Sequence, residues 1–303
     1  MEASRHYCVA EHVFGITAAE DILSLLTNYV PFEVEREDTL FHLTVLRGEA
    51  PEQELQPVFT DKSDEDMPRI EVYRCKEHPE DEQAKGWMLC VSMYRDSDIV
   101  CRLMASEDFR AATLYIATDD VRFAVDNAAM LLFAFTTVYE HTLEMHASVI
   151  KREGWGYLFL GKSGTGKSTH SRQWMHAFED AELLNDDNPI LRFYPASENG
   201  KARVVVYGSP WSGKTPCYKN DCAPVRAIVK LSQAPQNSLR PLRLPEAYAY
   251  MLSSASGLKI VPEMMDALYE TIAGLIQTIQ VYGLECLPNT EAAVVCYDGT
   301  QDC

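Results

Sequence analysis

The sequence has no long uninterrupted apolar run. A helix that spans a bilayer needs about 18 or more consecutive apolar residues, and the nearest candidate, residues 128–138, is shorter. This segment lies inside a stretch with helical spacing, residues 120–143, so we predict a buried helix there and no membrane partner. The start of the chain also lacks a secretory signal pattern, which favours a cytoplasmic location.

Paired cysteines and basic residues are scarce as well. The nine cysteines include no Cys-x-x-Cys pair, so the spacing of a zinc site is missing, and we expect reduced thiols. Lysine and arginine number 27 against 45 aspartate and glutamate residues, which gives a formal net charge of −18. Nucleic acids and anionic membranes attract basic surfaces, so we predict neither as a partner. A nucleotide remains compatible with this charge because local donors and Mg²⁺ hold it.

The sequence does contain a complete phosphate-binding loop motif, Gly-x-x-x-x-Gly-Lys-Ser, at residues 161–168. Its glycines allow backbone N–H groups to converge on phosphate oxygens, Lys167 should reach the β- and γ-phosphates, and Ser168 should bind Mg²⁺. An apolar run at 157–160 precedes the loop as a strand, and residues 171–178 continue it as a helix. The residues predicted to contact the nucleotide are Gly161, Ser163, Gly164, Thr165, Gly166, Lys167, Ser168 and Thr169.

Two adjacent aspartates, Asp186 and Asp187, follow the loop at short distance. A helix over 167–179 rises roughly 20 Å, and a turn and strand over 180–186 return about as far. The return strand should run parallel to 157–160, which brings both carboxylates to the phosphates. One carboxylate, Asp186, is predicted to hold Mg²⁺ with Ser168, and Asp187 to accept a proton. Neighbouring strand residues point to opposite faces, so this division requires Asp187 to lie past the strand end. A solvated Asn-Asp-Asp-Asn turn is the alternative.

These motifs together resemble a known family. The runs His146-Ala147-Ser148-Val149, Gly161–Ser168 and Leu184-Asn185-Asp186-Asp187 are similar, in order and spacing, to the catalytic domain of HPr kinase/phosphorylase. The stretch 163–167 also looks like ATP-dependent phosphoenolpyruvate carboxykinase, which shares that fold. The likeness covers roughly residues 140–250, including the turn 207–214 and the strand 224–233, which look like uncharacterised kinase-like relatives. Lys162 and the first third of the chain depart from the HPr enzyme, so the resemblance does not imply HPr as the acceptor.

Two further candidate residues are His146 and Lys214. His146 matches a catalytic-domain histidine of that family, where it would contact a phosphate oxygen or orient a carboxylate. A structural histidine on a strand is the alternative. Lys214, on a Gly/Ser turn, is placed to neutralise a transferring phosphoryl group, and an exposed loop lysine is equally compatible with the sequence.

The implied fold is α/β with a mixed sheet: a phosphate-loop core like that of HPr kinase and phosphoenolpyruvate carboxykinase. Residues 1–120 are predicted as a mainly antiparallel β region, with strands at 41–46, 69–73, 87–94, 99–104 and 113–116 and a helix at 18–26. Residues 121–303 are predicted as the catalytic domain, with later helices at 245–254 and 262–280. A homo-oligomer is left open.

The sequence thus predicts an ATP- and Mg²⁺-dependent kinase whose acceptor is a hydroxyl of a protein serine or of a small molecule. Asp186, Asp187, His146, Lys167 and Lys214 are the predicted catalytic residues. Three other classes stay open. They are a nucleotide sensor with weak ATPase activity, a carboxykinase-type lyase, and a scaffold whose loop binds nothing.

Overall fold

A computed structural model describes residues 1–36, 38–60, 68–76, 85–94, 97–198, 200–213 and 215–301. The chain divides into two compact units, Met1–Thr136 and Thr137–Cys303. Each unit contains a mixed β-sheet and helices, so the protein is of the α/β class.

The first unit is built on one sheet with the strand order β3-β1-β2-β4-β9-β8-β7-β6-β5. Most neighbouring strands are antiparallel, as predicted, but the pairs β2–β4 and β4–β9 are parallel. All five strands predicted for this region are confirmed. The bounds are β1 Glu2–Val9, β2 His12–Ala19, β3 Glu33–Val34, β4 Phe41–Arg47, β5 Gln56–Thr60, β6 Arg69–Cys75, β7 Gly86–Ser92, β8 Ile99–Ala105, β9 Ala111–Ile116, α1 Glu20–Leu23 and α2 Val121–Thr137, with a 3-10 turn at Val30–Phe32.

The helix predicted at 18–26 is wrong in extent. Ala18 and Ala19 end strand β2, where they pair with Ala3 and Glu2 of β1, and α1 covers only four residues. The run His12–Ala19 contains valine, phenylalanine, isoleucine and threonine, which favour a strand, and its pairing with β1 and β4 overrides the local helix signal.

The apolar helix is buried, as the sequence predicted. The helical stretch Val121–Glu140 is long and apolar enough to cross a membrane, but 72% of its most apolar window lies in the protein interior. Within the first unit, the Phe133 ring contacts those of Phe14 and His12, and the Phe135 ring contacts Phe109. A core helix of a globular protein has this environment.

The second unit has a sheet with the strand order β10-β14-β15-β16-β12-β11-β13. Strand β18 pairs with residues 228–233 of β16. Its core joins Trp174, Phe159, Val229 and Leu284, with α3 and α6 packed against each other. The bounds are β10 Thr142–Glu144, β11 Ala147–Arg152, β12 Trp155–Leu160, β13 Glu182–Asp187, β14 Ile190–Tyr194, β15 Arg203–Tyr207, β16 Cys222–Gln233, β17 Ser238–Pro241, β18 Val281–Cys286, α3 Lys167–Ala177, α4 Leu244–Ser254, α5 Pro262–Thr278 and α6 Thr290–Gly299, with a 3-10 turn at Val138–Glu140.

The return strand β13 runs in the predicted direction. It is antiparallel to β11, and β11 is antiparallel to β12, so β13 is parallel to β12 with β11 between them. Strands β16 and β18 are also parallel to this pair. The carboxyl ends of β12, β13, β16 and β18 therefore share one edge of the sheet, the edge at which ligands bind in open α/β sheets.

Candidate active site

Strand register brings the predicted residues to one place. Ala147, the first residue of β11, pairs with Leu160 on one side and with Asp187 on the other. His146 precedes Ala147 and Gly161 follows Leu160. The histidine, the start of the glycine loop and the aspartate pair therefore meet at the same sheet edge.

The glycine loop has the backbone shape that only glycine adopts readily. Gly164 and Gly166 have φ angles of +75° and +106°, and Gly166 caps the N-terminus of α3. A Cβ atom at these angles would be strained. The helix therefore begins directly after the loop, with the positive end of its dipole at the loop.

Lys167 is the first residue of α3, and its side chain turns inward. Its Nζ atom donates to the carbonyl of Gly161 at 3.0 Å and lies 2.8 Å from Nε2 of His146. Only 8% of the residue is exposed. Burial lowers the pKa of the Lys167 ammonium, while the charges of Asp187 and Asp186 oppose that effect.

Ser168 and Asp186 form the second contact across the site. The Ser168 hydroxyl donates to Oδ1 of Asp186 at 3.0 Å. The Asp186 carbonyl is held as well, because it accepts hydrogen bonds from the N–H of Gly213 and the hydroxyl of Ser212. This carboxylate is thus fixed beside the first turn of α3.

Asp187 is the last residue of β13, and its backbone leaves the extended conformation. Its φ angle is +127°, in a region that L-residues rarely adopt. Its Oδ1 atom lies 3.2 Å from Nε2 of His146. The turn at the strand end therefore lets Asp187 and Asp186 reach the same site although they are adjacent. Strained backbone of this kind clusters at functional sites.

His146 contacts Lys167 and Asp187 through the same atom. A ring nitrogen carries at most one proton, so Nε2 either accepts from the Lys167 ammonium or donates to the Asp187 carboxylate. It cannot do both at once. While the Lys167 ammonium donates to Nε2, no proton lies between Nε2 and the Asp187 carboxylate.

A second turn supports the aspartate pair. Asn185 is buried, donates its side-chain amide to Ser209 and to the carbonyl of Trp211, and accepts from the N–H of Asn188. The turn continues to Gly213, which packs against the Asp187 carboxylate. Lys214 lies outside the described residues. The sequence predicts the turn 207–214 but gives no indication that Asn185 and Ser209 support the aspartate pair.

Glu144 was also missed. It ends β10, two residues before His146, and is 1% exposed. Within the described chain, neither of its carboxyl oxygens has a hydrogen-bond partner of ordinary geometry. Burial raises its pKa to about 7, with Ser256 acting to lower it and the charge of Asp187 to raise it. The available signal was a single acid between the apolar residues Leu143 and Met145.

The other predicted contact residues include Ser163, Thr165 and Thr169. Ser163 is exposed, and the N–H of Thr165 donates to the Lys162 carbonyl at 3.1 Å. Thr169 accepts a long hydrogen bond from Arg172. His170 faces inward instead, where it accepts from the Trp174 indole.

The donor set suits Mg²⁺ better than a protein-enclosed metal. Among the described residues, no three histidine, cysteine, aspartate or glutamate side chains are grouped as a metal site. Mg²⁺ keeps several waters and typically uses one or two carboxylates together with substrate phosphates. Asp186 and Ser168 fit that pattern.

Comparisons with known proteins give a distant likeness only. No protein-family model matches the chain, and no curated protein sequence matches it. Among solved structures, the HPr(Ser) kinase/phosphatase from Coxiella burnetii aligns with 52% of this chain and 95% of its own, at 12% identity and a TM-score of 0.29.

Proposed function

We propose that this protein is a Mg²⁺- and ATP-dependent phosphotransferase with a phosphate-loop core of the HPr kinase and phosphoenolpyruvate carboxykinase type. Three contacts described above carry the proposal: Ser168 with Asp186, and His146 with both Lys167 and Asp187. A structural turn would not require a lysine, a histidine and two aspartates to converge at a glycine loop.

The two aspartates have different partners, which supports different roles. Asp186 lies against the Ser168 hydroxyl, so these two residues would hold Mg²⁺, which neutralises phosphate charge when bound. Asp187 instead lies against His146, with its Oδ1 atom 3.2 Å from Nε2 of the ring. It is the better candidate for the base that faces the acceptor.

The proposed transfer needs no redox partner. The acceptor hydroxyl oxygen attacks the γ-phosphorus of ATP, the bond from that phosphorus to the β,γ-bridging oxygen breaks, and ADP leaves. The hydroxyl proton passes to Asp187. Lys167 and the loop N–H groups hold the β- and γ-phosphates, and catalysis comes from positioning and charge neutralisation.

Phosphate binding would also change the pairing of His146. An ammonium drawn to the phosphates releases Nε2, and the imidazole, on shifting its proton from Nδ1 to Nε2 through solvent, then donates a hydrogen bond to the Asp187 carboxylate and fixes its orientation. His146 is a positioning residue in this scheme. We propose a protein serine or a small-molecule hydroxyl as the acceptor.

Titration calorimetry with Mg·ATP tests the first half of the proposal. Wild type should bind, Lys167→Ala should lose binding, and Lys201→Ala, which removes an exposed lysine, should bind as wild type does. Absence of binding to wild type at millimolar nucleotide would reject the proposed function.

Transfer of label from γ-labelled ATP to lysate proteins and metabolites tests the second half. Asp187→Asn should abolish transfer and spare binding, and retained turnover would remove Asp187 as the base. Binding without transfer to any acceptor would favour the sensor, and nucleotide-dependent turnover of oxaloacetate would favour the lyase.

A further inference from the structure

A cavity of about 550 Å³ opens beside the glycine loop, on the side away from Asp187. Its wall includes Thr165 and Thr169 from the loop and α3, Leu231 and Gln233 from the end of β16, and Cys286 and Leu287 from the end of β18. Small-molecule sites usually have volumes of about 300–1,000 Å³. The cavity therefore has the size of a ligand site and shares its edge with the phosphate loop.

Strand order separates this cavity from the reactive residues. Strand β12 carries the loop, with β11 and β13 on one side and β16 and β18 on the other. His146 and Asp187 belong to the first side, and the cavity belongs to the second. A nucleotide whose phosphates lie on the loop would thus extend in one direction toward the acceptor and in the other into the cavity.

The cavity wall contains no charged side chain among the described residues that line it. His170 also lines it, and burial lowers the pKa of that imidazole to about 4, so it is neutral at physiological pH. The loop residues Gly164, Thr165 and Gly166 form the part of the wall next to the phosphates, and the wall beyond them offers no cation to a further anionic group. It suits an uncharged group with an apolar face and a few hydroxyls.

Polar groups stand at the cavity rim where a sugar would lie. The Gln233 amide donates to the Thr165 carbonyl at 3.4 Å, a long bond that leaves its second N–H and its oxygen available. The Thr169 hydroxyl accepts from Arg172 and keeps its own proton for donation. Leu231, which is buried, and Leu287, which is partly exposed, supply apolar surface to the wall.

We propose that this cavity binds the nucleoside portion, base and ribose, of the nucleotide whose phosphates lie on the loop. The inference rests on the proposed function for the placement of the phosphates. Beyond the loop itself, the proposed site uses the end of β16, the end of β18 and the residues after β18, none of which belongs to the phosphate-loop motif.

Cavity filling tests the proposal with a matched control. Ala234 lines the cavity and is half-buried, so a phenylalanine side chain at this position should occupy the space of the nucleoside. Ala234→Phe should therefore raise the Kd for Mg·ADP by about ten-fold or more. Its affinity for Mg·tripolyphosphate, which has no nucleoside, should stay at the wild-type value. Ala196→Phe, at an exposed position, should bind both probes as wild type does.

Thiol labelling of wild type provides a second readout that needs no variant. Mg·ADP should slow alkylation of Cys286 several-fold, and Mg·tripolyphosphate should not. Cys222, exposed at the opposite end of β16, should label at the same rate throughout. Peptide mass spectrometry separates the two sites.

Each outcome has one meaning. Suppose that wild type binds Mg·ADP, that Ala234→Phe binds it with wild-type affinity, and that Mg·ADP does not slow the alkylation of Cys286. The nucleoside proposal is then overturned and the phosphotransferase proposal stands. If both respond and no phosphoryl transfer is found, the nucleoside site stands and the phosphotransferase fails. Wild type that does not bind Mg·ADP overturns both.

Discussion

Gly213 packs directly against the carboxylate of Asp187. A Cβ atom added at this glycine would lie 3.0 Å from Oδ2 and 3.1 Å from the Cβ and Cγ atoms of Asp187. We expect Gly213→Ala to displace the carboxylate from His146 and to lower kcat by roughly ten-fold or more, because small misplacements of catalytic groups are costly. The Kd for Mg·ATP should not change, since Lys167 and the loop are untouched. Steady-state kinetics and calorimetry measure the two quantities.

Gly257→Ala is the matched control for that substitution. A Cβ atom there would meet Met264 and Leu268 at 3.9 and 4.0 Å, which is ordinary contact. This variant should keep wild-type kcat. Equal kcat in the two alanine variants would show that the position of Asp187 is not limiting.

Glu144 makes the stability of the protein depend on pH. Its pKa is about 7 in the folded protein and 4.5 as a free side chain. Below about pH 4.5 both states are protonated. Between that pH and 7 the unfolded chain loses its proton first, so stability falls as pH rises and levels off above 7. At about 1.4 kcal/mol per unit, the whole effect is about 3 kcal/mol.

Glu144→Gln stays neutral and should lack this dependence. In urea unfolding, the free energy of the variant relative to wild type should rise by about 3 kcal/mol between about pH 4.5 and about pH 8. Glu198→Gln, at an exposed glutamate, should follow wild type at every pH. Parallel curves for Glu144→Gln and wild type would contradict the prediction.

At the scale of elements, helix α3 is fixed to strand β11 by one buried hydrogen bond. The hydroxyls of Ser148 and Ser171 lie 2.7 Å apart, and both residues are fully buried. Either single alanine variant leaves one hydroxyl without its partner, which costs about 1–3 kcal/mol. The double variant removes both hydroxyls and should lose less than the sum of the single losses.

Urea unfolding of the four proteins completes that cycle. Ser253→Ala, which removes an exposed hydroxyl from α4, should cost little. Additive losses for Ser148→Ala and Ser171→Ala would show that the bond contributes nothing to the attachment of α3.

The elements that local pattern encodes were predictable. The apolar run at 157–160 and the glycine loop predicted β12 and the start of α3 at Lys167. Helix α6 was missed despite a local signal, since the Asn289 side chain accepts from the N–H of Ala292 as an N-cap does. The division of roles between the aspartates required Asp187 to lie past the strand end, but the sequence could not predict its positive φ angle. That conformation is held by contacts with β11 and with the turn at Gly213, which are distant in the chain.

At the scale of the whole molecule, long-range pairing limited what the sequence could predict. The parallel direction of β13 followed from the length of α3 and the return segment, but the insertion of β11 between β12 and β13 did not. That insertion is what brings His146 between Lys167 and Asp187. The cavity beside β18 was also beyond prediction, because residues 231–234 and 286–288 meet only through strand pairing.

The net charge of the whole chain should slow the approach of its proposed substrate. The formal charge is −18, and Mg·ATP is also negative, so their long-range interaction is repulsive. Raising salt from about 10 mM to about 150 mM shortens the Debye length from about 30 Å to about 8 Å and screens that repulsion. We expect the association rate constant of a fluorescent ATP analogue, followed by stopped flow, to rise roughly three-fold over this range. The matching neutral nucleoside should show no such rise. A rate constant that falls with salt would mean that the positive potential of the loop and the α3 N-terminus, rather than the net charge, governs encounter.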